Sequence, residues 1–223
     1  MAYILNIETS TTNCSVALSK DGVVIGFKED NSLQYSHAER LHVYVDEVLK
    51  SAQVLKNQLD AIAISKGPGS YTGLRIGVSA AKGLCFSLNI PLISVPTLEA
   101  LAHQIDDPNG SIVAMLDARR MEVYSAIYDA QYNEIRSTEA EVITSESYQE
   151  LLELSSVYFV GNGVLKTKES ISHKNAQFIE NKLPSSKQMC AISYQKFKTN
   201  DFEDVAYFEP FYLKDFIAIP SKK

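Results

Sequence analysis

The sequence predicts an α/β protein built from two copies of one strand-rich unit, and three observations lead there. Apolar runs rich in β-branched residues alternate with helical patterns through the first half of the chain. Asp107-Pro108-Asn109-Gly110 then interrupts it with four turn-forming residues in a row. After that break the opening pattern recurs: SIVAMLD ends in Asp117 as ILNIE ends in Glu8, 109 residues earlier. Each carboxylate-tipped strand leads through a short polar turn into a second strand. The two units are placed at 1–106 and 107–223, the second smaller, with its C-terminal segment packing back on the first. A duplicated fold of this kind encloses a cleft between its halves.

Element by element, the first half reads βββαβαβα. Strands are expected at 3–8, 13–19 and 22–28, the last two joined by the tight hairpin signal Asp21-Gly22. Ser36 and Glu39 form a capping box at the start of a helix over 36–51. Leu41, Val45, Val48, Leu49 and Ala52 supply its apolar stripe. A strand over 59–65, a glycine-rich turn, a helix over 72–88, a strand over 92–95 and a helix from Thr97 follow. In the second half, EVYSAIYD supplies a second strand, a third precedes a helix around 147–154, and VYFV leads into Gly161-Asn162-Gly163.

Composition narrows the function classes. A net charge of −6 argues against a free-standing nucleic-acid binder, because neutralising phosphates needs a basic surface. The charge is uneven: residues 164–198 carry seven lysines against Glu169 and Glu180, which suits either a solvated surface or a polyanion contact. Three scattered cysteines without a CxxC pair point away from zinc fingers and disulfide frameworks and toward a reducing compartment. The N-terminus lacks a basic n-region, and no run approaches the ~18 apolar residues of a membrane span. A soluble, cytoplasmic protein is expected.

The segment GPGSYTGLRIG lies between a strand and a helix, the layout that offers backbone N–H groups to an anion. Its spacing fails the Walker pattern, since Thr72 stands where the second glycine is needed, and the dinucleotide fingerprint, since Gly73 comes one position late. An anion site and a structural turn with Ser70 or Thr72 as helix cap both fit. Gly73, Gly77 and Ala81 recur every four residues, although interior glycine costs a helix about 1 kcal/mol relative to alanine. A ligand or a closely packed backbone must offset that cost.

Other candidates are weaker. Glu8 with Thr9–Thr12 suits a phosphate-side hairpin holding magnesium through water, or a plain polar tip. Asp117 and Arg119-Arg120 form its counterpart, an anion clamp or an ion pair with Glu122. His37 and His42 are five apart, about 140° around a helix, and cannot share a metal. No metal site is expected, and no catalytic set of nucleophile and base emerges from spacing.

Taken in order, ILNIETSTTNCSVAL, SKGPGSYTGLRIGVSAAKGL, LDARRMEVY and EPFYLKD resemble the TsaB (YeaZ) family over nearly the whole chain. The resemblance implies a duplicated actin-like, ribonuclease H-like (ASKHA) fold with a reduced second lobe. It implies a non-catalytic subunit, not an enzyme on its own, that supports a TsaD-like enzyme in threonylcarbamoylating the tRNA adenosine beside the anticodon. A TsaE-like ATPase is the implied third component; tRNA is met indirectly, a homodimer forms when the chain is alone, and no membrane is involved. No tightly bound cofactor is implied, and ATP or ADP would bind only at the complex interface. The resemblance also implies that the helices over 36–51 and 72–88 pair with the partner, through Leu41, Val45, Leu49, Gly73, Leu74, Gly77, Val78 and Ala81. A bulky residue at Gly77 would then block docking without unfolding the chain. Nucleotide or anion contacts, if made, would come from Glu8, Thr11, Ser70, Thr72, Arg75, Asp117 and Arg119.

Three positions depart from the family pattern: Met121 replaces a glycine, His37-Ala38-Glu39 lacks a serine, and Lys214 stands for an arginine able to make bidentate contacts. Two rival functions follow from the residues and superfamily. One is a stand-alone ATPase or small-molecule kinase using Glu8 and Asp117; the other is a metalloprotease-like protein.

Overall fold

The two apolar repeats become two five-stranded sheets of one topology. The computed structural model describes residues 1–31 and 37–214. The first sheet holds β1 (Tyr3–Glu8), β2 (Cys14–Lys20), β3 (Val23–Asp30), β4 (Ala61–Ser65) and β5 (Leu92–Val95), in the order β3-β2-β1-β4-β5. The second holds β6 (Ser111–Asp117), β7 (Glu122–Tyr128), β8 (Glu134–Val142), β9 (Val157–Val160) and β10 (Ala176–Ile179), in the order β10-β9-β6-β7-β8. Counted from each lobe's own first strand, both sheets read 3-2-1-4-5. In both, the first three strands are antiparallel and the last two join in parallel. This is the duplicated actin-like fold expected from the sequence.

Among the described residues six α-helices complete it: α1 (His37–Ser51), α2 (Tyr71–Leu88), α3 (Thr97–Ala102), α4 (Gln149–Leu154), α5 (Val164–Ser170) and α6 (Ser186–Lys198). Helices α4 and α5 have six and seven residues where α1 and α2 have fifteen and eighteen, so the second lobe is the reduced one. Ser36, the first residue of the expected capping box and helix, lies outside the described residues.

Local chemistry explains several boundaries. Asp21 and Gly22 both take positive φ, 52° and 83°, the conformation of a two-residue hairpin turn whose twist matches its strands. Ser70 caps α2, its hydroxyl accepting from the Gly73 N–H at 3.3 Å. Asn89 ends the helix in the left-handed region, its N–H returning to the Cys85 carbonyl. Leu41, Val45, Val48 and Leu49 bury the apolar stripe of α1 over β2, in one core cluster with Val16 and Leu18.

The helix that closes each half lies on the other half's sheet. Leu98, Leu101 and Ala102 of α3 pack with Ile112, Ala114, Leu116 and Val160 of the second lobe. Met189 and Ile192 of α6 pack with Ile4, Ala61, Ala63, Ile93 and Val95 of the first. Burial of each leucine, isoleucine, valine or methionine among them stabilises by roughly 1.5–3 kcal/mol, so the exchange ties the lobes together. Polar contacts fix its register: Ser193 Oγ donates to Asn6 Oδ1 at 2.7 Å, and the Ser186 N–H to Ser15 Oγ at 2.8 Å.

After α6 the chain runs back as a strap along the first lobe. Glu203 bridges to Leu92, Lys82 donates to the Ala206 and Phe208 carbonyls, and the Phe211 N–H reaches the Lys66 carbonyl at 2.7 Å. Lys214 then pairs with Glu122 of the second lobe. No helix among the described residues is long and apolar enough to cross a membrane.

Candidate functional site

In the first lobe, the polar turn between β1 and β2 is filled from within. Glu8, Thr9, Ser10 and Asn13 are almost completely buried, and Thr11 is 7% exposed. The N-terminal turns of α2 occupy the space above them. The Ser70 N–H donates to the Ser10 carbonyl at 2.6 Å, and Thr9 Oγ1 donates to the Gly73 carbonyl at 2.8 Å. A Cβ on Gly69 would stand 2.6 Å from the Ser10 Cβ, and one on Gly73 would collide with the Thr9 carbonyl oxygen. One on Gly77 would collide with Thr9 Oγ1 and sit 2.9 Å from Ile64 Cδ1. These glycines let α2 lie directly on the turn.

A nucleotide phosphate therefore does not fit the first lobe's hairpin. The Ser10 carbonyl is taken by the Ser70 N–H, the Ser10 and Asn13 N–H groups by the Glu8 and Thr11 side chains, and the Thr11 carbonyl lies 2.8 Å from His37 Nε2. Glu8 does not face a metal-binding space: Oε1 accepts from the Ser10 N–H at 2.5 Å, while Oε2 is buried without a hydrogen-bond partner. Loss of hydration pushes its carboxyl above the ordinary value, outweighing hydrogen bonds from Ser10 and its neighbours. Glu8 and Thr11, expected as ligand contacts, are both buried within the turn. Ser70 serves as the helix cap, and Thr72 is exposed on the first turn of α2.

The second lobe's hairpin is open but committed to its own partners. Asp117 Oδ1 accepts from the Arg119 N–H at 2.7 Å and pairs with Lys166. Asn162 Oδ1 accepts from the Asp117 N–H at 2.8 Å, tying in the Gly161–Gly163 turn. Arg119 and Arg120 carry the positive φ values of the turn, 69° and 50°, so Met121 needs no glycine-like conformation and points outward, 52% exposed. Glu8 is sealed in one lobe while Asp117 is exposed and ion-paired in the other.

The expected docking residues prove to be core. Leu41, Val45, Leu49, Gly73, Leu74, Gly77, Val78 and Ala81 are all buried inside the first lobe. The small-residue stripe faces the β1–β2 turn and Ile64, so leucine at Gly77 would disrupt the fold itself. What α1 and α2 turn outward is a different set. Ala38, His42, Arg75, Ile76, Ala80 and Leu84 line a shallow groove of about 590 Å³ between the two helices. Gly83 lies in it too, with nothing within 4 Å of where a Cβ would stand. Phe86, one turn on, is 85% exposed.

Two small-residue rows thus run along α2, and sequence reasoning chose the inner one. The signal that separates them is the company each keeps at about 100° per residue. Gly73, Gly77 and Ala81 share their arc with Leu74, Val78 and Cys85, whereas Gly83 shares its arc with Arg75, Ser79 and Ile76.

Arg75 stands at one end of the groove, exposed but held. Its guanidinium stacks over the Tyr71 ring at 4.1 Å, and its Nε donates to the Tyr212 hydroxyl of the strap at 3.3 Å. The histidines do not form a metal pair: His37 is buried against Thr11 while His42 lines the groove. Burial also lowers the His37 pKa, favouring its neutral form. Among the described residues no group of three or more histidine, cysteine or carboxylate side chains is placed to hold a metal ion. Lys214 meets Glu122 in a single-oxygen contact.

Comparison with known proteins matches this fold and these segments. A family model described as TsaD, tRNA N6-adenosine threonylcarbamoyltransferase, matches residues 31–219. The tRNA threonylcarbamoyladenosine biosynthesis protein TsaB of Escherichia coli is 32% identical over 99% of each chain. The chain belongs to the TsaB family. A TsaB from Haemophilus influenzae is 30% identical, covering 95% of this chain and 93% of its own. A tRNA N6-adenosine threonylcarbamoyltransferase from Phocaeicola vulgatus is 38% identical over 47% of this chain and 35% of its own, whereas the Escherichia coli TsaB is matched end to end. The solved structure of YeaZ from Pseudomonas aeruginosa superposes with a TM-score of 0.83 at 27% identity, covering 96% of this chain and all of that one.

Proposed function

We infer that this TsaB-family chain is a non-catalytic docking subunit in tRNA threonylcarbamoyladenosine biosynthesis. It supports a TsaD-like catalytic subunit that it binds through the outer face of α1 and α2. The observation that carries this reading is Gly83. It costs α2 about 1 kcal/mol relative to alanine, and among the described residues nothing lies within 4 Å of where its Cβ would stand to offset that. A partner backbone seated against Gly83 and Ala80, between Ile76 and Leu84, would.

The filled β1–β2 turn supports the non-catalytic part of the reading, because the first lobe offers no seat for a phosphate. ATP or ADP would then bind only where the partner completes a site, and a TsaE-like ATPase would join the assembled pair. Alone, the chain would pair with a second copy through the same face, and tRNA would be met through the assembly in the cytoplasm.

Reconstituting tRNA threonylcarbamoylation with and without this chain tests the reading. Modification should fall to background when the chain is left out and return when it is added back. Undiminished modification in its absence would overturn the proposal. Measurable ATP turnover by the isolated chain would favour the kinase alternative instead.

A further inference from the structure

The groove between α1 and α2 is asymmetric in charge, and that asymmetry bears on which partner it takes. Its walls are apolar, and the ionisable groups that line it, Arg75 and His42, are both basic. Among the described residues no carboxylate lines it. Arg75 is also pre-organised: the Tyr71 ring beneath it and the Tyr212 hydroxyl at Nε hold the guanidinium in place, while no bond to its two terminal nitrogens is formed among the described residues. Glu209 lies near enough to act on Arg75 through space, but makes no ion pair with it.

A fixed guanidinium with its outer donors unused is built for a planar bidentate acceptor. Because the side chain is already immobilised, an incoming acceptor loses little rotamer entropy in fixing it. A two-fold interface between identical copies would instead bring this basic groove against itself. Neither copy would supply a carboxylate from the described groove residues, so Arg75 would be covered without a bidentate acceptor.

Resting on the docking reading above, the geometry points to a partner surface that is apolar and carries a carboxylate opposite Arg75, and it assigns Arg75 as the residue that favours that partner over a second copy. Apolar contact along Ile76, Ala80 and Leu84 supplies adhesion to either occupant. Arg75 supplies the difference between them, in the way charged groups at an interface set specificity more than adhesion.

Binding of the full-length chain to its TsaD-like subunit, and its self-association, separate the possibilities. Ile76→Asp places a charge in the apolar wall and should abolish the complex; an intact complex would overturn the docking reading itself. Arg75→Glu leaves the apolar wall unchanged and should weaken the complex about tenfold or more at low salt, with Arg75→Lys in between. If Ile76→Asp breaks the complex but Arg75→Glu leaves it unchanged, the docking reading stands and the carboxylate inference falls. Sedimentation of the chain alone gives an independent readout: Arg75→Ala should strengthen self-association, and weaker self-association would overturn the assigned preference. Circular dichroism should show all four variants folded, since Arg75 is exposed and Ile76, packed on the edge of the core, is only half-buried.

Discussion

Thr9 and Gly73 are locked together from both sides. The Thr9 hydroxyl donates to the Gly73 carbonyl at 2.8 Å, and the Thr9 carbonyl oxygen occupies the space a Cβ at Gly73 would need. The contact decides what GPGSYTGLRIG does. Its glycines serve the chain's own backbone packing, and they seal the turn that would otherwise meet a phosphate.

Gly73→Ala should therefore be destabilising, although alanine is the better helix former by about 1 kcal/mol. The new methyl meets backbone rather than a movable side chain, and such overpacking costs about 1–3 kcal/mol or more. A lowered urea midpoint with an unchanged slope is the expected result. An unchanged or raised midpoint would mean α2 does not lie on the turn as described.

Gly83 should respond in the opposite sense. In the isolated chain Gly83→Ala should raise stability by about 1 kcal/mol, because the helix gains propensity and nothing crowds the new methyl. Gly83→Leu should leave the chain folded and remove binding to the TsaD-like subunit. Thermal unfolding read beside a pull-down separates the two effects. A folded Gly83→Leu protein that still binds its partner would move the docking face elsewhere.

The contrast between these glycines shows where sequence reasoning stops. The succession of strands and helices, the duplication and a helix cap at Ser70 or Thr72 were legible because alternation, turn residues and side-chain caps are local signals. Which side of α2 faces the sheet was not settled by its small residues, since rows of them run on both sides. It was settled by Leu74, Val78 and Cys85, which share the inner arc and are buried. Glu8 misled for a related reason: a carboxylate at a strand end reads alike whether the turn beyond it is open or filled. The filling comes from Ser70 and Gly73, more than sixty residues on in the sequence.

The three cysteines should be unreactive until the chain opens. Cys14, Cys85 and Cys190 are buried and free, and loss of hydration pushes their thiols up to about 11, 12 and 12. Because the thiolate is the reactive form, a disulfide reagent near pH 8 should label none of them in the folded protein within minutes. All three should react in denaturant. Fast labelling of one cysteine before unfolding would reveal a local opening at that element.

Glu8 makes stability depend on pH in a direction opposite to that of an ion-paired carboxylate. Burial raises its folded pKa above the 4.5 of an exposed glutamate, so the folded chain holds the proton more tightly than the unfolded chain does. Stability contributed by the protonated form is complete below the unfolded value and is lost as pH rises through the folded value. Glu8→Gln keeps an oxygen for the Ser10 N–H, removes the titration, and places an amide near the unpartnered Ser10 hydroxyl. Relative to the native sequence, the variant should gain stability as pH rises from about 4.5 toward 8. His37, whose pKa is lowered by burial, titrates in both proteins and largely cancels from the difference. Urea midpoints of the two proteins across that range would show the divergence. Parallel curves would mean that Glu8 keeps an ordinary pKa and that water reaches the β1–β2 turn, which would reopen the first lobe to a phosphate.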